Sequence, residues 1–182
     1  MPIYICPTPI GNLEDITLRV LRVLREADCI AAEDTRHTRK LMNHYEISTP
    51  VISYHEHNKE VRGEHILTMC MEGKDVALVS DAGTPGISDP GWELIRDALD
   101  AGIEVICLPG PTALIPALLV SGFQTASFIF DGFLPRKKSD RRKCLQRLED
   151  EGRTIIFYEA PHRLLSTLSD ILEILGDRRI CI

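Results

Sequence analysis

Residues 76–99 read VALVSDAGTPGISDPGWELIRDAL, a pattern that predicts a strand, a long loop and a helix in that order. The apolar run at 76–79 is typical of a strand that is buried on both faces. At the other end, apolar residues recur at helical spacing: Leu94, Ile95, Ala98 and Leu99. The loop between them, residues 80–91, holds three glycines, two prolines and two aspartates. A plain connection in an α/β unit is shorter, so this loop is predicted to bind a ligand.

The same alternation of short apolar runs and helical periods extends over the whole chain. Strands are predicted at residues 3–6, 29–32, 51–54, 76–80, 104–108, 127–130, 154–158 and 179–182. Strands that alternate with helices favour a mainly parallel sheet with helices on both faces. We therefore predict an α/β fold in which residues 1–122 form a first domain with a five-stranded sheet. Residues 123–182 are predicted to begin a second α/β domain.

Residues that favour helix termini mark the two ends of the helix after the long loop. Asp89 is predicted to cap its N-terminus, Pro90 to occupy its first position and Gly102 to end it. Trp92, the only tryptophan of the chain, is predicted to pack in the core.

Composition narrows the class of protein. The 182 residues carry a net charge of -6, which excludes a generally basic coat for nucleic acid. The first residues, MPIYICPTPIGN, lack the basic start and apolar run of a signal peptide. No window approaches the roughly 18 apolar residues of a membrane span. Six cysteines occur without a CxxC pair, and we expect reduced thiols in a cytoplasmic protein that has no membrane partner.

Four loops of unusual composition follow predicted strands: PTPIGN at 7–12, EDTRHT at 33–38, the long loop at 80–91 and PGPTA at 109–113. In open parallel sheets, ligands bind beyond the carboxyl ends of the strands. We expect the loops after strands one, four and five to converge on one small molecule. The chain lacks GxxxxGK[ST] and a GxGxxG after strand one, so the ligand is expected to need few phosphate contacts. Asp81 would favour a cation or sugar hydroxyls.

Six motifs now point to a family. VSDAGTPGISDPG, TPIGNLEDIT, AEDTRHT, PGPTA, GFLPRK and FYEAPHR together resemble the tetrapyrrole methylase-like superfamily, in its branch of 16S rRNA (cytidine) 2'-O-ribose methyltransferases. The resemblance implies S-adenosyl-L-methionine as cofactor, in a cleft between two α/β domains, and a homodimer. Members of the family are longer, so the second domain is expected to be incomplete. The PTPIGN loop departs from the glycine-rich loop of porphyrin-modifying relatives, which disfavours a tetrapyrrole substrate.

The resemblance also implies which residues line the cofactor pocket. Matched by motif, they are Ile10, Asp81, Gly83, Thr84, Ile87, Thr112, Ala113, Tyr158 and Ala160.

A basic run at 134–147, LPRKKSDRRKCLQR, holds seven Lys and Arg residues against one acid. Such a run can neutralise RNA phosphates, although a solvated helix face that balances the acids at 149–151 is the alternative. RNA contact is predicted for Arg136, Lys137, Lys138, Arg141 and Arg142, and for a second cluster of Arg36, Arg39 and Lys40. The partner expected from the resemblance is 16S rRNA in the 30S subunit.

A ribose hydroxyl must lose its proton during methylation, which favours a general base at a strand end. Glu33, Asp34 and Glu159 are the predicted candidates, with His162 as a further one; Glu33 can equally pair with Arg36 or Arg39. His55 and His57 alternate along a strand end, but no third ligand stands at a diagnostic spacing, so no metal is predicted. Two other functions stay open, an RNA-binding module without activity and a methylase of a small tetrapyrrole.

Overall fold

The computed structural model describes residues 1–182 and consists of two compact units, Met1–Ala113 and Leu114–Ile182. The division falls before the predicted boundary at residue 122, which stays a prediction. No helix in the structure has both the length and the apolar character needed to cross a membrane.

The first unit contains a five-stranded sheet, as predicted. Its strands are β1 (Ile3–Ile5), β2 (Cys29–Ala32), β3 (Val51–Ser53), β4 (Val76–Val79) and β5 (Val105–Cys107). All neighbours are parallel, and the order across the sheet is β3-β2-β4-β1-β5. Every residue of β2 and β4 is buried, because these strands lie inside the sheet and are covered on both faces.

Four helices cover the sheet: α1 (Leu18–Glu26), α2 (Thr35–His44), α3 (Lys59–Met71) and α4 (Trp92–Asp100). Helices α1 and α2 pack on one face in a cluster with Ile30, Ala32, Ala77 and Val79. Helices α3 and α4 pack on the other face in a cluster with Cys29, Ala31, Val76 and Leu78. Alternate residues of each strand therefore pack against helices on opposite faces of the sheet, because side chains along a strand alternate between its two faces.

The strand order places β4 between two strands, β2 and β1, whose crossovers run the opposite way to its own. The crossovers after β1 and β2 run one way across the sheet, and the crossovers after β3 and β4 run the other way. Right-handed crossovers then put α1 and α2 on one face and α3 and α4 on the other. The loop after β4 consequently lies between two loops that leave toward the opposite face. Ligands of open α/β sheets bind at such reversals.

Backbone contacts join the loops after β1, β4 and β5. Thr8 N–H donates to the Gly83 carbonyl and Gly83 N–H to the Thr8 carbonyl, both at 2.9 Å. The buried Thr8 hydroxyl donates to the carbonyl of Ser80 at 2.9 Å. Gly110 lies so close to Pro7 that a Cβ on Gly110 would come within 2.7 Å of the proline Cβ. A side chain at residue 110 would therefore push the loop after β5 away from the loop after β1.

The second unit contains α5 (Leu114–Val120), β6 (Phe128–Phe133), α6 (Lys138–Gln146), β7 (Thr154–Tyr158) and α7 (Leu164–Leu175). Strands β6 and β7 pair in parallel, with an irregularity between Phe130 and Phe133. Buried Leu134, Leu145 and Leu175 form the centre of its core. Single turns of 3-10 helix occur at Leu13–Asp15 in the first unit and at Pro161–Arg163 in the second.

Four local predictions are wrong. Residues 179–182 form no strand, because neither strand of the β6–β7 sheet pairs with them. Asp89 does not cap α4; the cap is Gly91, whose φ of 142° suits glycine. Pro90 does not occupy the first helical position, because it precedes this cap and α4 begins at Trp92. A Cβ on Gly91 would lie 3.1 Å from the Leu78 side chain, so the loop folds back on β4 before the helix begins. Trp92 is 59% exposed rather than in the core. Gly102 follows the end of α4 with a φ of 72°, as predicted.

Substitution of Gly110 by alanine is expected to destabilise the first unit by about 1–3 kcal/mol, since the new methyl group overlaps the rigid Pro7 ring. Urea unfolding measures the loss. Gly63→Ala is the matched control, because a Cβ there meets only Tyr54 at 4.0 Å and lies inside α3. The control should be neutral or stabilising by up to about 1 kcal/mol. Equal losses in the two variants would contradict the close approach of Gly110 to Pro7.

Candidate active site

The loops after β1, β4 and β5 converge at the carboxyl edge of the five-stranded sheet, as predicted. Besides the Thr8–Gly83 pair, the Thr84 hydroxyl donates to the Pro111 carbonyl at 3.3 Å. A Cβ on Gly83 would lie 3.6 Å from Ile10 Cγ2, so these two residues line the same surface. Ile10 is 39% exposed and Ile87 is 45% exposed, which leaves apolar surface open at this edge. Thr112 is half-buried and Ala113 is exposed at the end of the same loop.

Carboxyl groups from neighbouring strand ends gather beside these loops. Asp34 N–H, after β2, donates to Asp81 Oδ1 at 3.0 Å, after β4. Asp81 N–H in turn donates to Glu33 Oε2 at 3.5 Å. These contacts place Asp81 beside the consecutive residues Glu33 and Asp34, although Asp81 is remote from them in the chain.

Two of the carboxyl groups have raised pKa values. Burial raises the pKa of Glu33, the negative charge of Asp81 raises it further, and His55 opposes the shift. Burial, followed by the charges of Glu33 and Asp81, raises the pKa of Asp89 to about 6. Sequence reasoning missed Asp89 by treating it as a helix cap. The sequence does contain a signal for this role, because Asp89 is the second aspartate of the loop at 80–91.

Asp34 has a different environment from its neighbour Glu33. It caps α2 by accepting a hydrogen bond from Arg36 N–H at 2.8 Å, and it pairs with the Arg36 guanidinium at 2.7 Å. The Arg36 side chain holds the pKa of Asp34 well below its usual range. Asp34 is therefore poorly suited to accept a proton, and the prediction that it is catalytic is not supported. Arg36 is occupied in the same pair, whereas Arg39 and Lys40 are exposed on α2.

The predicted residues of the second unit lie at the end of β7. Tyr158 packs its ring against Phe130 and Phe133, with centroid distances of 4.9 and 5.5 Å. The Glu159 side chain is only 8% exposed and pairs with Arg163 at 3.3 Å. Its two oxygens accept hydrogen bonds from Ala160 N–H at 2.8 Å and from the Thr167 hydroxyl at 2.5 Å. Glu159 holds this turn together, which argues against a role as general base, and His162 is exposed to solvent.

Comparison with known proteins identifies the family. The family model of tetrapyrrole (corrin/porphyrin) methylases matches residues 2–182. The chain belongs to this family. A solved structure of the methylase fold, uroporphyrin III C-methyl transferase from Thermus thermophilus, superposes with a TM-score of 0.66 at 18% identity. The superposition covers 97% of this chain and 78% of the Thermus thermophilus chain, and this match confirms the α/β fold class.

Curated relatives lie in one branch of the methylase family. Ribosomal RNA small subunit methyltransferase I of Halalkalibacterium halodurans is 55% identical over 99% of this chain and 62% of its own length. The protein of the same name from Thermotoga maritima is 56% identical over 99% of this chain and 81% of its own length. That from Escherichia coli O157:H7 is 51% identical over 97% of this chain and 62% of its own length. The chain thus spans less than two thirds of the length of most of these relatives.

The basic run of this methylase-family chain is partly neutralised by α7. Arg141 is 5% exposed and pairs with Asp170 at 2.6 Å. Arg142 contacts Asp170 at 3.3 Å and Glu173 at 2.5 Å. The structure therefore assigns Arg141 to a buried ion pair, and the prediction that it contacts RNA is wrong. Arg142 is also engaged within the protein, so its predicted RNA contact is not supported.

The two histidines after β3 lie close to each other in the structure. The rings of His55 and His57 stand 6.0 Å apart. No group of three or more His, Cys, Asp or Glu side chains in residues 1–182 is arranged to hold a metal ion. The influence of His55 on the pKa of Glu33 is the one contribution of this pair to the carboxyl edge.

Asp89→Asn is expected to stabilise the protein in a pH-dependent way. Because the pKa of Asp89 is about 6 in the folded state and about 3.9 when unfolded, the folded state binds the extra proton between these values. The stabilisation that comes from this bound proton is present below about pH 4 and is lost as the pH rises through 6. The asparagine variant should therefore gain about 1–2 kcal/mol at pH 7.5, after allowance for the solvent exposure of this half-buried group, and nothing at pH 4.

Urea unfolding of wild type and Asp89→Asn at the two pH values measures this gain. Glu64→Gln, an exposed position of α3, is the control and should differ from wild type by less than about 0.5 kcal/mol at both. A gain from Asp89→Asn that is the same at pH 4 and pH 7.5 would contradict the raised pKa.

Asp170→Asn is expected to destabilise the second unit by about 3 kcal/mol, because it leaves the buried Arg141 guanidinium without its counter-charge. Glu173→Gln is the control, since this carboxylate is 60% exposed and pairs only with Arg142. Its cost should stay below about 1 kcal/mol. Denaturant unfolding that ranks the two substitutions in the opposite order would contradict the assignment of the buried pair.

Proposed function

We propose that this chain carries the cofactor-binding part of an S-adenosyl-L-methionine-dependent methyltransferase. Its proposed reaction is 2'-O-methylation of a cytidine ribose in 16S rRNA of the small ribosomal subunit. The observation that carries the proposal is identity of 51–56% to small subunit rRNA methyltransferases I over nearly the whole chain. The chain is proposed to act in the cytoplasm, as a homodimer that binds the 30S subunit.

The residues at the carboxyl edge fit this cofactor. S-adenosyl-L-methionine combines a sulfonium cation, a ribose diol and an adenine, and it has no phosphate. Asp81 offers a carboxylate for the cation or the diol, while Ile10 and Ile87 offer exposed apolar surface for the adenine. Gly83 and Thr84 border that surface, and the absence of a side chain on Gly83 leaves room beside Ile10.

Four further residues are proposed to contact the cofactor on the strength of the family motifs alone. Thr112 and Ala113 end the loop that Thr84 contacts through Pro111. Tyr158 and Ala160 stand at the end of β7 in the second unit.

Glu33 is the proposed general base. When bound, the cofactor supplies an electrophilic methyl group. The task of the protein is then to remove the proton from the ribose 2'-hydroxyl, and Glu33 Oε1 is available for it because it accepts no hydrogen bond within the protein. The raised pKa of Glu33 brings its proton affinity closer to the working pH, which favours general-base catalysis. Asp34 and Glu159 lack this freedom because arginine side chains occupy them.

Transfer of labelled methyl groups from S-adenosyl-L-methionine to free 16S rRNA or 30S subunits tests the proposal, with mapping of the modified nucleotide. The expected product is a 2'-O-methylated cytidine. Label on a porphyrin but not on rRNA would replace the proposal with a tetrapyrrole methylase. RNA binding without methyl transfer, in a protein that binds the cofactor, would indicate a binding module.

Two carboxamide variants separate cofactor binding from catalysis. Glu33→Gln is expected to bind the cofactor with an unchanged Kd but to lose about 10²–10⁴-fold in turnover, the usual contribution of a general base. Asp81→Asn is expected to lose cofactor affinity. Isothermal titration calorimetry and single-turnover methylation measure the two effects. Full activity of Glu33→Gln would exclude it as the base, and unchanged affinity of Asp81→Asn would remove it from the cofactor pocket.

A further inference from the structure

Helix α6 has two faces of different electrostatic character. One face turns toward α7, where buried Asp170 and exposed Glu173 meet Lys138, Arg141 and Arg142. Three positive side chains on this face are therefore opposed by two carboxylates. Arg141 and Arg142 are bound closely by these carboxylates, so their guanidinium groups gain little from binding an external phosphate. Lys138 is 69% exposed and lies 3.9 Å from Asp170, so it is only loosely paired.

The outer face of α6 lacks such partners. Lys143 and Arg147 are exposed and stand four residues apart, so their side chains project from the same side of the helix. The ion pairs of the second unit include neither residue. The one hydrogen bond of the Arg147 guanidinium goes to Cys144 Sγ at 3.0 Å, which leaves its other donors free.

Lys143 and Arg147 border an open depression of about 620 Å³. Pro135, Asp140, Cys144 and Gln146 complete its lining. Asp140 is the only acid in the lining, and it lies 4.0 Å from Lys137. The depression thus places two unpaired cations at one open surface, and such cations can neutralise the phosphates of a single RNA strand.

We propose that the outer face of α6, through Lys143 and Arg147, is the RNA-contacting surface of the second unit. This inference rests on the proposed action on rRNA and replaces the predicted contacts of Arg141 and Arg142. The chain carries a net charge of -6, so its charge as a whole does not attract RNA. Exposed Arg136 and Lys137 precede α6 and extend the same positive surface. A local cluster of free cations therefore determines where the phosphates bind.

Two double variants with equal change of charge test the proposal. Lys143→Gln with Arg147→Gln removes the two free cations, and Arg142→Gln with Arg153→Gln removes two cations that carboxylates already pair. The probe is a fluorescently labelled single-stranded RNA oligonucleotide, and anisotropy gives its Kd over a series of salt concentrations. The first variant is expected to bind more weakly, with a salt slope shallower by about 1.4, since each lost phosphate contact removes about 0.7. The second should keep the wild-type slope.

Thermal unfolding of both variants checks that each is folded at the assay temperature. If the wild-type chain binds RNA, two results overturn the assignment of the outer face. One is an unchanged salt slope in Lys143→Gln/Arg147→Gln, and the other is an equal loss of RNA affinity in the second variant. Failure of the wild-type chain to bind RNA overturns the assignment and the proposed rRNA substrate together. Displacement of the RNA by inorganic phosphate at an equal phosphate concentration would indicate a free-anion site and overturn the RNA assignment.

Discussion

The reciprocal backbone hydrogen bonds between Thr8 and Gly83 hold together the edge on which every proposed function of the first unit depends. They lie beyond the ends of β1 and β4, and they pair backbone groups of a buried residue that water cannot reach. Gly83 adopts a φ of 85°, and Gly110 packs against Pro7 without room for a side chain. Three loops are thereby fixed to one another before any ligand arrives, which lowers the entropy cost of binding.

This rigid frame holds carboxyl groups close enough to disturb one another. Glu33, Asp81 and Asp89 come from two strand ends, and the pKa values of Glu33 and Asp89 are raised by burial and by the neighbouring charges. Such an arrangement costs stability in the free protein, and a bound cation would relieve the repulsion. Asp34 does not add to this repulsion in the same way, because its charge is paired with Arg36. The electrostatics of the edge therefore match a positively charged cofactor and a base near it.

The sheet and the meeting of its loops could be predicted because buried parallel strands appear as continuous apolar runs, and their carboxyl ends share one edge. The path of the loop at 80–91 could not, since Asp89 is displaced from the helix start by contacts of Gly91 with Leu78. The neutralisation of α6 could not be predicted for a similar reason, because Asp170, which pairs with Arg141, is remote from it in sequence. In both cases the residue that determines the local structure or charge is a neighbour only in the folded protein.

We propose that the loops after β1, β4 and β5 form one cofactor surface. Amide hydrogen exchange of the chain with and without S-adenosyl-L-methionine tests this proposal most directly, because exchange reports local opening residue by residue. We expect slower exchange in the cofactor's presence at residues 8–12, 81–87 and 110–113 together, and no change in the outer turns of α3. Protection confined to one of these loops, or absent from all of them while the cofactor is bound, would contradict it.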